Sequence, residues 1–320
     1  MNDLTSGTAS VLREETAIVA DGLRKSYGDH EAVAGLDLDI RTGEFFGLLG
    51  RNGSGKTTTL HMLSTLVRPS SGRAAVCGHD IQQSPVAVRK LIGLVFQDSA
   101  LDRTLSVEEN LHFAGALYSM PPTLVEARMR ELLGLFDLDA KRKAPVGSLS
   151  GGMRRALDIA RGVLHRPRVL FLDEPTIGLD VINRRAIWRF MEQLRKQEGI
   201  TVVLTTHYLE EAADCDRVVF MRKGRVIGAG TPPALVRDLG AYILEIRSEQ
   251  AAELEVRLQA RLGPAVREGD LLAYRVERED FPIADLQQEL RQQVRSMALR
   301  RPDLNDVYVW LNRGAGGAGS

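Results

Sequence analysis

The chain has no apolar run near the roughly 18 residues that a bilayer-spanning helix needs. Its opening stretch, MNDLTSGTASVLREET, lacks the apolar block of a secretory signal. It holds only two cysteines, Cys77 and Cys215, far apart and in no metal-binding spacing, so reduced thiols in a cytoplasmic protein are the expectation. It also has no excess charge of either sign: 42 Lys+Arg balance 42 Asp+Glu, which argues against a broad basic surface for nucleic acid. No internal repeat is evident. What is present is 44% hydrophobic residues over 320 positions, enough for the cores of one large or two moderate domains.

The most informative stretch is GLLGRNGSGKTTTL, Gly47 to Leu60. Gly50, Gly55, Lys56 and Thr57 fit G-x-x-x-x-G-K-[ST], in which backbone N–H groups crowd around a phosphate and a following helix adds the positive end of its dipole. The setting suits the motif. EFFGLL (Glu44 to Leu49) reads as a buried strand. KTTTLHMLSTL (Lys56 to Leu66) reads as a helix with Leu60, Leu63 and Leu66 on one face. Lys56 would then reach the β- and γ-phosphates and Thr57 would ligate Mg²⁺. The plain alternative is a glycine-rich strand-to-helix turn.

Along the chain, residues 1–16 read as a loose tail and AIVADGLRKSYGDHEAVAGLDLDI as short strands turning at YGDH. From Arg89 to about His165 helical spacing dominates. RVLFLDEP and ITVVLTTH read as buried strands, AIWRFMEQLRKQ as a helix, and DRVVFMRKGRVIGAG as a hairpin turning at Lys223–Gly224. Buried strands alternating with helices argue for a mostly parallel α/β sheet over residues 17–238. A second pattern over 241–313 alternates YILEIR, LLAYRVER and VRSMALRR with two helical stretches. It reads as a small α+β domain, ferredoxin-like, followed by a flexible tail at 314–320.

Five further stretches follow the phosphate loop in order: VFQDS with Gln97, LSGGM (Leu149 to Met153), VLFLDEP ending in Asp173 and Glu174, IGLD (Ile177 to Asp180) and LTTHY with His207. Asp173 at a strand end could hold Mg²⁺ through a water, and Glu174 could polarise an attacking water. His207 could contact the γ-phosphate, and Gln97 could touch metal and water. Ser150, Gly151 and Gly152 open a helix and form a second anion cradle. One nucleotide does not need two cradles unless the second serves a partner's nucleotide. Singly each motif has an ordinary reading: a turn, a structural histidine, acids at a helix start.

Together, in this order, they resemble the ATP-binding cassette (ABC) proteins over about Ala17 to Arg237. Gly50, Arg51, Asn52, Gly53, Ser54, Gly55, Lys56 and Thr57, with Thr58 beside them, look like the Walker A loop, and Gln97 like the Q-loop. Leu149 to Met153 look like the signature, Val169 to Glu174 like Walker B, Ile177 to Asp180 like the D-loop and His207 like the switch histidine. Tyr27 matches the aromatic that stacks on adenine. Met153 stands where the family commonly has Gln. The resemblance implies a P-loop ABC ATPase fold with a mostly parallel sheet, an antiparallel β subdomain and a helical subdomain. It also implies ATP and Mg²⁺ as ligands, with Thr57, Gln97 and Asp173 at the metal. A head-to-tail homodimer and a separately encoded membrane permease are the implied partners, with the chain peripheral on the cytoplasmic face of the membrane. RPDLNDVYVWLNRG (Arg301 to Gly314) resembles the C-terminal segment of daunorubicin-resistance-type exporter ATPases. The alternative, a non-transport ABC ATPase acting on nucleic acid or ribosomes, would be expected to carry two cassettes, a long insertion or basic patches.

Overall fold

The computed structural model describes residues 16–314, which divide into two compact units. The first holds residues 16–207 and Met221–Val226; the second holds Tyr208–Phe220 and residues 227–314.

In the first unit, β1 (Thr16–Tyr27) and β2 (His30–Arg41) form an antiparallel hairpin closed at Tyr27 and His30. With β4 (Ser71–Val76) and β5 (His79–Asp80) they make a four-stranded sheet of order β2-β1-β4-β5. The strands of the tail-to-loop region are therefore long rather than short, and Thr16 belongs to β1 rather than to a tail.

The second layer is parallel. The strands β3 (Phe45–Leu49), β6 (Ile92–Val95), β7 (Val169–Asp173) and β8 (Thr201–Thr206) lie in the order β3-β8-β7-β6. Every residue of β3, β7 and β8 is buried, which is why these strands read as unbroken apolar runs rather than alternating ones. The register pairs Leu48 with Thr205 and Thr205 with Asp173. The C-terminal ends of β3, β7 and β8 therefore meet on one edge, where open α/β sheets place their ligands. β6 corrects the sequence reading, which ran helix through this stretch. Its four residues are too few for a period to declare itself, and they follow α2 (Pro85–Leu91) without a break.

The helices of this unit are α1 (Lys56–Leu63), α2, α3 (Val107–Leu117), α4 (Pro122–Leu135), α5 (Gly151–Val163) and α6 (Val181–Glu198). Helix α1 stops at Leu63, and Thr65 turns the chain at φ +66°; Leu66 is half exposed, so only Leu60 and Leu63 of the expected face are buried. Helix α3 starts with a reciprocal cap, Ser106 against Glu109, at 2.7 and 3.3 Å. Arg142 ties α3 to α4 by donating to Glu108 at 2.7 Å and to both oxygens of Glu126 at 2.8 Å. Arg128, buried on α4, pairs with Glu198 at the end of α6 at 2.5 Å.

Strands β9 (Arg217–Arg222) and β10 (Arg225–Gly230) flank Lys223 and Gly224, both at positive φ, as the sequence indicates. In the second unit α7 (Pro232–Arg237) precedes β11 (Tyr242–Arg247), α8 (Ala251–Leu262), β12 (Val266–Glu268), β13 (Leu271–Val276), α9 (Ile283–Leu290), β14 (Ser296–Arg300) and α10 (Leu304–Gly314). The antiparallel order β12-β13-β11-β14 with this βαββαβ succession is the split βαβ arrangement that the sequence suggests. The three-residue β12 is the strand missing from the sequence reading. Asp306 of α10 and Glu245 of β11 both pair with Arg300, which fixes α10 to the end of β14. The expected tails, apart from Thr16 and Gly314, lie outside the described residues.

His165 follows α5, stacks on Tyr118 at 3.6 Å and lies 3.0 Å from the Ile92 carbonyl through Nε2. Burial, with the nearby Arg128 charge, pushes its pKa down to about 4. A histidine depressed in the folded state binds its proton more readily when unfolded, so stability is full above about pH 6.5 and falls as pH drops toward 4. His165 accounts for up to about 2 kcal/mol lost between pH 6.5 and 5. His165→Phe, which keeps the stack, is expected to show a smaller fall in Tm between pH 7.5 and 5.0 than the parent. Equal falls in thermal scans would contradict this.

Candidate active site

The loop between β3 and α1 is built on three glycines. Gly50, Gly53 and Gly55 have φ of +150°, +78° and +105°. A Cβ on Gly50 would lie 2.4 Å from the Met221 carbonyl, and one on Gly55 would lie 2.5 Å from the Ala32 carbonyl. Backbone conformation and close approach therefore both require glycine at these two positions. Gly224 N donates to the Ser54 carbonyl at 3.0 Å, and Ala34 N donates to the Gly224 carbonyl at 2.8 Å, so the loop is braced from β2 and from the β9–β10 turn.

Helix α1 begins at Lys56 with Gly55 at its N-cap and no side-chain cap. Its first N–H groups are left for an anion, reinforced by the helix dipole. Ser54 Oγ is buried and has no hydrogen-bond partner. Lys56 is 5% exposed; its Nζ donates to the Gly50 carbonyl at 2.7 Å and lies 3.6 Å from Glu174 Oε1. Burial lowers the Lys56 pKa, and the Glu174 and Asp173 carboxylates oppose that shift.

Across the loop, Asp173 ends β7. Its Oδ1 accepts from Thr57 Oγ1 at 3.1 Å and from Thr205 Oγ1 at 2.5 Å. Glu174 follows at φ +47°, a left-handed conformation that costs about 1–2 kcal/mol in a non-glycine residue. Its N–H is shared between the Thr205 carbonyl at 3.1 Å and Thr205 Oγ1 at 3.0 Å. Its Oε2 lies 2.8 Å from His207 Nδ1, at the exit of β8. One hydroxyl thus serves both acids: Thr205 donates to Asp173 and accepts from the Glu174 backbone.

These groups surround a cavity of about 220 Å³, lined by Asn52, Gly53, Ser54, Gly55, Lys56, Thr57, Thr58, Gln97, Glu174, Ile177 and His207. Gly50 and Arg51 belong to the loop but do not line the cavity, and Asp173 is buried, hydrogen-bonded to Thr57 and Thr205. Tyr27 closes β1, is half exposed with Lys25 Nζ 4.9 Å from its ring centroid, and does not line the cavity. Ser150, Gly151 and Gly152 do not line it either. Ser150 Oγ caps α5 by accepting from Met153 N at 3.2 Å, and Gly151 is exposed with open space where a Cβ would go. Gly152 is buried, and its Cβ would meet Asn183 Oδ1 at 2.3 Å. Thr205 is the site residue that sequence reading missed; the signal was a pair of hydroxyl residues, Thr205 and Thr206, ending a buried strand.

The arrangement fits a nucleoside triphosphate. The orphaned Ser54 hydroxyl, the uncapped α1 N-terminus and Lys56 suit phosphate oxygens. Thr57 and Asp173 offer hard oxygens to a divalent cation. Among the described residues no three His, Cys, Asp or Glu side chains could hold a metal by themselves. A cation here would share its coordination with phosphate oxygens, as Mg²⁺ does.

A family model described as ABC transporter matches residues 33–177. The daunorubicin resistance ATP-binding protein DrrA3 of Streptomyces coeruleorubidus is 40% identical over 312 residues, covering 93% of this chain and 96% of the relative. The Nod factor export ATP-binding protein I of Ralstonia nicotianae is 38% identical over 300 residues, covering 91% and 92%. Among solved structures, the ATP-binding cassette MJ0796, in a dimeric post-hydrolysis state bound to ADP and Pi, aligns with a TM-score of 0.62 at 26% identity. That alignment covers 67% of this chain and 98% of the cassette. None of these supports the non-transport alternative. No helix among the described residues is long and apolar enough to cross a membrane.

Thr205→Val keeps the shape of the side chain and removes both of its hydroxyl bonds. The expected loss is about 1–3 kcal/mol of unfolding free energy, because Asp173 is left short of a donor in a buried site. Urea unfolding measures it; an unchanged midpoint at unchanged m would contradict the role given to Thr205.

Proposed function

The chain belongs to the ABC transporter family of ATP-binding subunits, and from that premise we propose how its own residues bind and split ATP. It is an ATPase subunit of an exporter, hydrolysing ATP to ADP and phosphate to drive transport. In the proposed reading, the N–H groups of Gly53 to Thr58 and the Ser54 hydroxyl hold the phosphates, and Lys56 moves from the Gly50 carbonyl onto the β- and γ-phosphate oxygens. Tyr27, half exposed at the end of β1, stacks on the adenine. Thr57, Asp173 and Gln97 would hold Mg²⁺, which would supply neutralisation of phosphate charge.

Glu174 is the general base. Its carboxylate accepts a proton from the attacking water as the water oxygen bonds to the γ-phosphorus. The bridging P–O bond breaks, and its electron pair stays on the ADP β-phosphate. His207, 2.8 Å from Glu174 Oε2, orients that carboxylate and faces the γ-phosphate. The observation that carries this reading is the convergence of Lys56, Glu174 and His207 on one cavity, with Asp173 hydrogen-bonded to Thr57 beside it, at three aligned strand ends.

The signature residues Ser150, Gly151 and Gly152 stand apart from the chain's own cavity. In the proposed assembly they close the site of a second copy, head to tail; the dimeric relative supports this. A separately encoded membrane permease completes the exporter, with this subunit on the cytoplasmic face. The relatives' names, daunorubicin resistance and Nod factor export, support a drug-like or lipid/saccharide-type cargo.

Glu174→Gln is expected to keep ATP binding and to lower turnover at least 100-fold, because the amide cannot take the proton; steady-state phosphate release at the parental rate contradicts the assignment. Lys56→Ala is expected to weaken ATP binding at least tenfold, and Lys56→Arg to restore little, since a planar fork does not replace a compact ammonium. Equilibrium titration with a fluorescent ATP analogue reads this, and parental affinity in Lys56→Ala contradicts the phosphate-loop role.

A further inference from the structure

Arg155 lies one turn inside α5, the helix that the signature residues open, and it is 7% exposed. Its guanidinium donates to four backbone carbonyls. Nε reaches Pro175 O at 2.6 Å, and Nη1 reaches Phe96 O at 2.6 Å. Nη2 reaches Asp173 O at 3.1 Å and Glu174 O at 3.2 Å. None of these acceptors is on α5. Three are the consecutive carbonyls around the two site acids, and the fourth immediately precedes Gln97.

Two neighbours on the same face of α5 extend the grip. Asp158, buried, lies 3.8 Å from the Arg161 guanidinium and faces the Ser99 side chain and the Ala100 backbone. Arg161 donates to the Ala100 carbonyl. Positions 155, 158 and 161 thus hold segment 96–100, and Arg155 alone also holds 173–175. Glu174 sits in this grip at φ +47°, a conformation that persists only when its surroundings fix it.

We propose that Arg155 is a positioning residue for hydrolysis: it holds the Glu174 peptide in its left-handed conformation and locks it, together with the Gln97 segment, to the helix that carries the signature cradle. This rests on Glu174 being the general base. A planar fork with five donors can serve four carbonyls at once; an ammonium cannot span them. A displacement of the α5 N-terminus by a partner's phosphate is then transmitted to Glu174 and Gln97 through one side chain.

The test uses the full-length chain with Mg-ATP and three variants, Arg155→Lys, Arg155→Met and Glu174→Gln, read for kcat, KM, equilibrium ATP-analogue affinity and Tm. Arg155→Lys is expected to lose at least tenfold in kcat with KM and affinity within twofold of the parent. Arg155→Met is expected to lose more and to melt lower; if it does not fold, Arg155→Lys still decides. Adding Arg155→Lys to Glu174→Gln is expected to lower residual turnover by less than twofold, since both changes act on the same step. Parental kcat in Arg155→Lys, or a loss of kcat matched by loss of affinity, or an independent tenfold loss in the double variant, would overturn the proposal. If Glu174→Gln itself turns over at the parental rate, it is the general-base reading that fails.

Discussion

Two adjacent carboxylates at the buried end of β7 set the terms for everything around them. Asp173 and Glu174 are 3% and 5% exposed, and a buried carboxylate without partners costs several kcal/mol. The fold meets that cost with four side chains: Lys56 and Thr57 from the first turn of α1, Thr205 from β8 and His207 from its exit. Each of these partners exists at its position because three parallel strands end in register. The fully buried, mainly apolar run of β3, β7 and β8 is thus the means by which a charged edge is held still.

The same geometry explains why Lys56 is engaged by protein groups. Its ammonium rests on the Gly50 carbonyl and beside Glu174, contacts that are weak individually and exchangeable for phosphate oxygens of higher charge. In the proposed mechanism, binding substrate is an exchange of partners inside this cradle, and releasing Lys56 from Glu174 leaves that carboxylate with His207 and the attacking water.

Much of this was legible in the sequence because the chemistry demands particular residue types at fixed spacing. Gly50 and Gly55 are forced by carbonyls within 2.5 Å of where a Cβ would sit, and Asp173, Glu174 and His207 mark strand ends. The βαββαβ order of the second unit was readable from alternating runs. What escaped was short or dependent on tertiary packing. β6 and β12 have four and three residues, below the length at which a period shows. Leu66 continues a helical spacing that the backbone abandons at Leu63. Thr205 could be suspected only as a hydroxyl in a buried strand, and nothing in GGMRRALDIARGV distinguishes Arg155, which turns inward, from an arginine in solvent. Tyr27 was assigned by resemblance, and its ring is half exposed at the end of β1.

The central claim is that each hydrolytic site is completed by a second copy of the chain. Gly151 is the position at which to test it: space around it is open, whereas a side chain on Gly152 would first strike Asn183 of its own subunit. Gly151→Asp places a carboxylate in the signature cradle and Lys56→Ala removes the phosphate-loop charge. Each homodimer is expected to be inactive. In a mixed dimer the phosphate loop of the Gly151→Asp subunit faces the intact signature of the Lys56→Ala subunit, so one whole site is rebuilt. Mixing the two purified variants and measuring ATP turnover should therefore restore partial activity. Normal turnover by Gly151→Asp alone, or no recovery when mixed dimers are shown to form, would contradict the shared-site account.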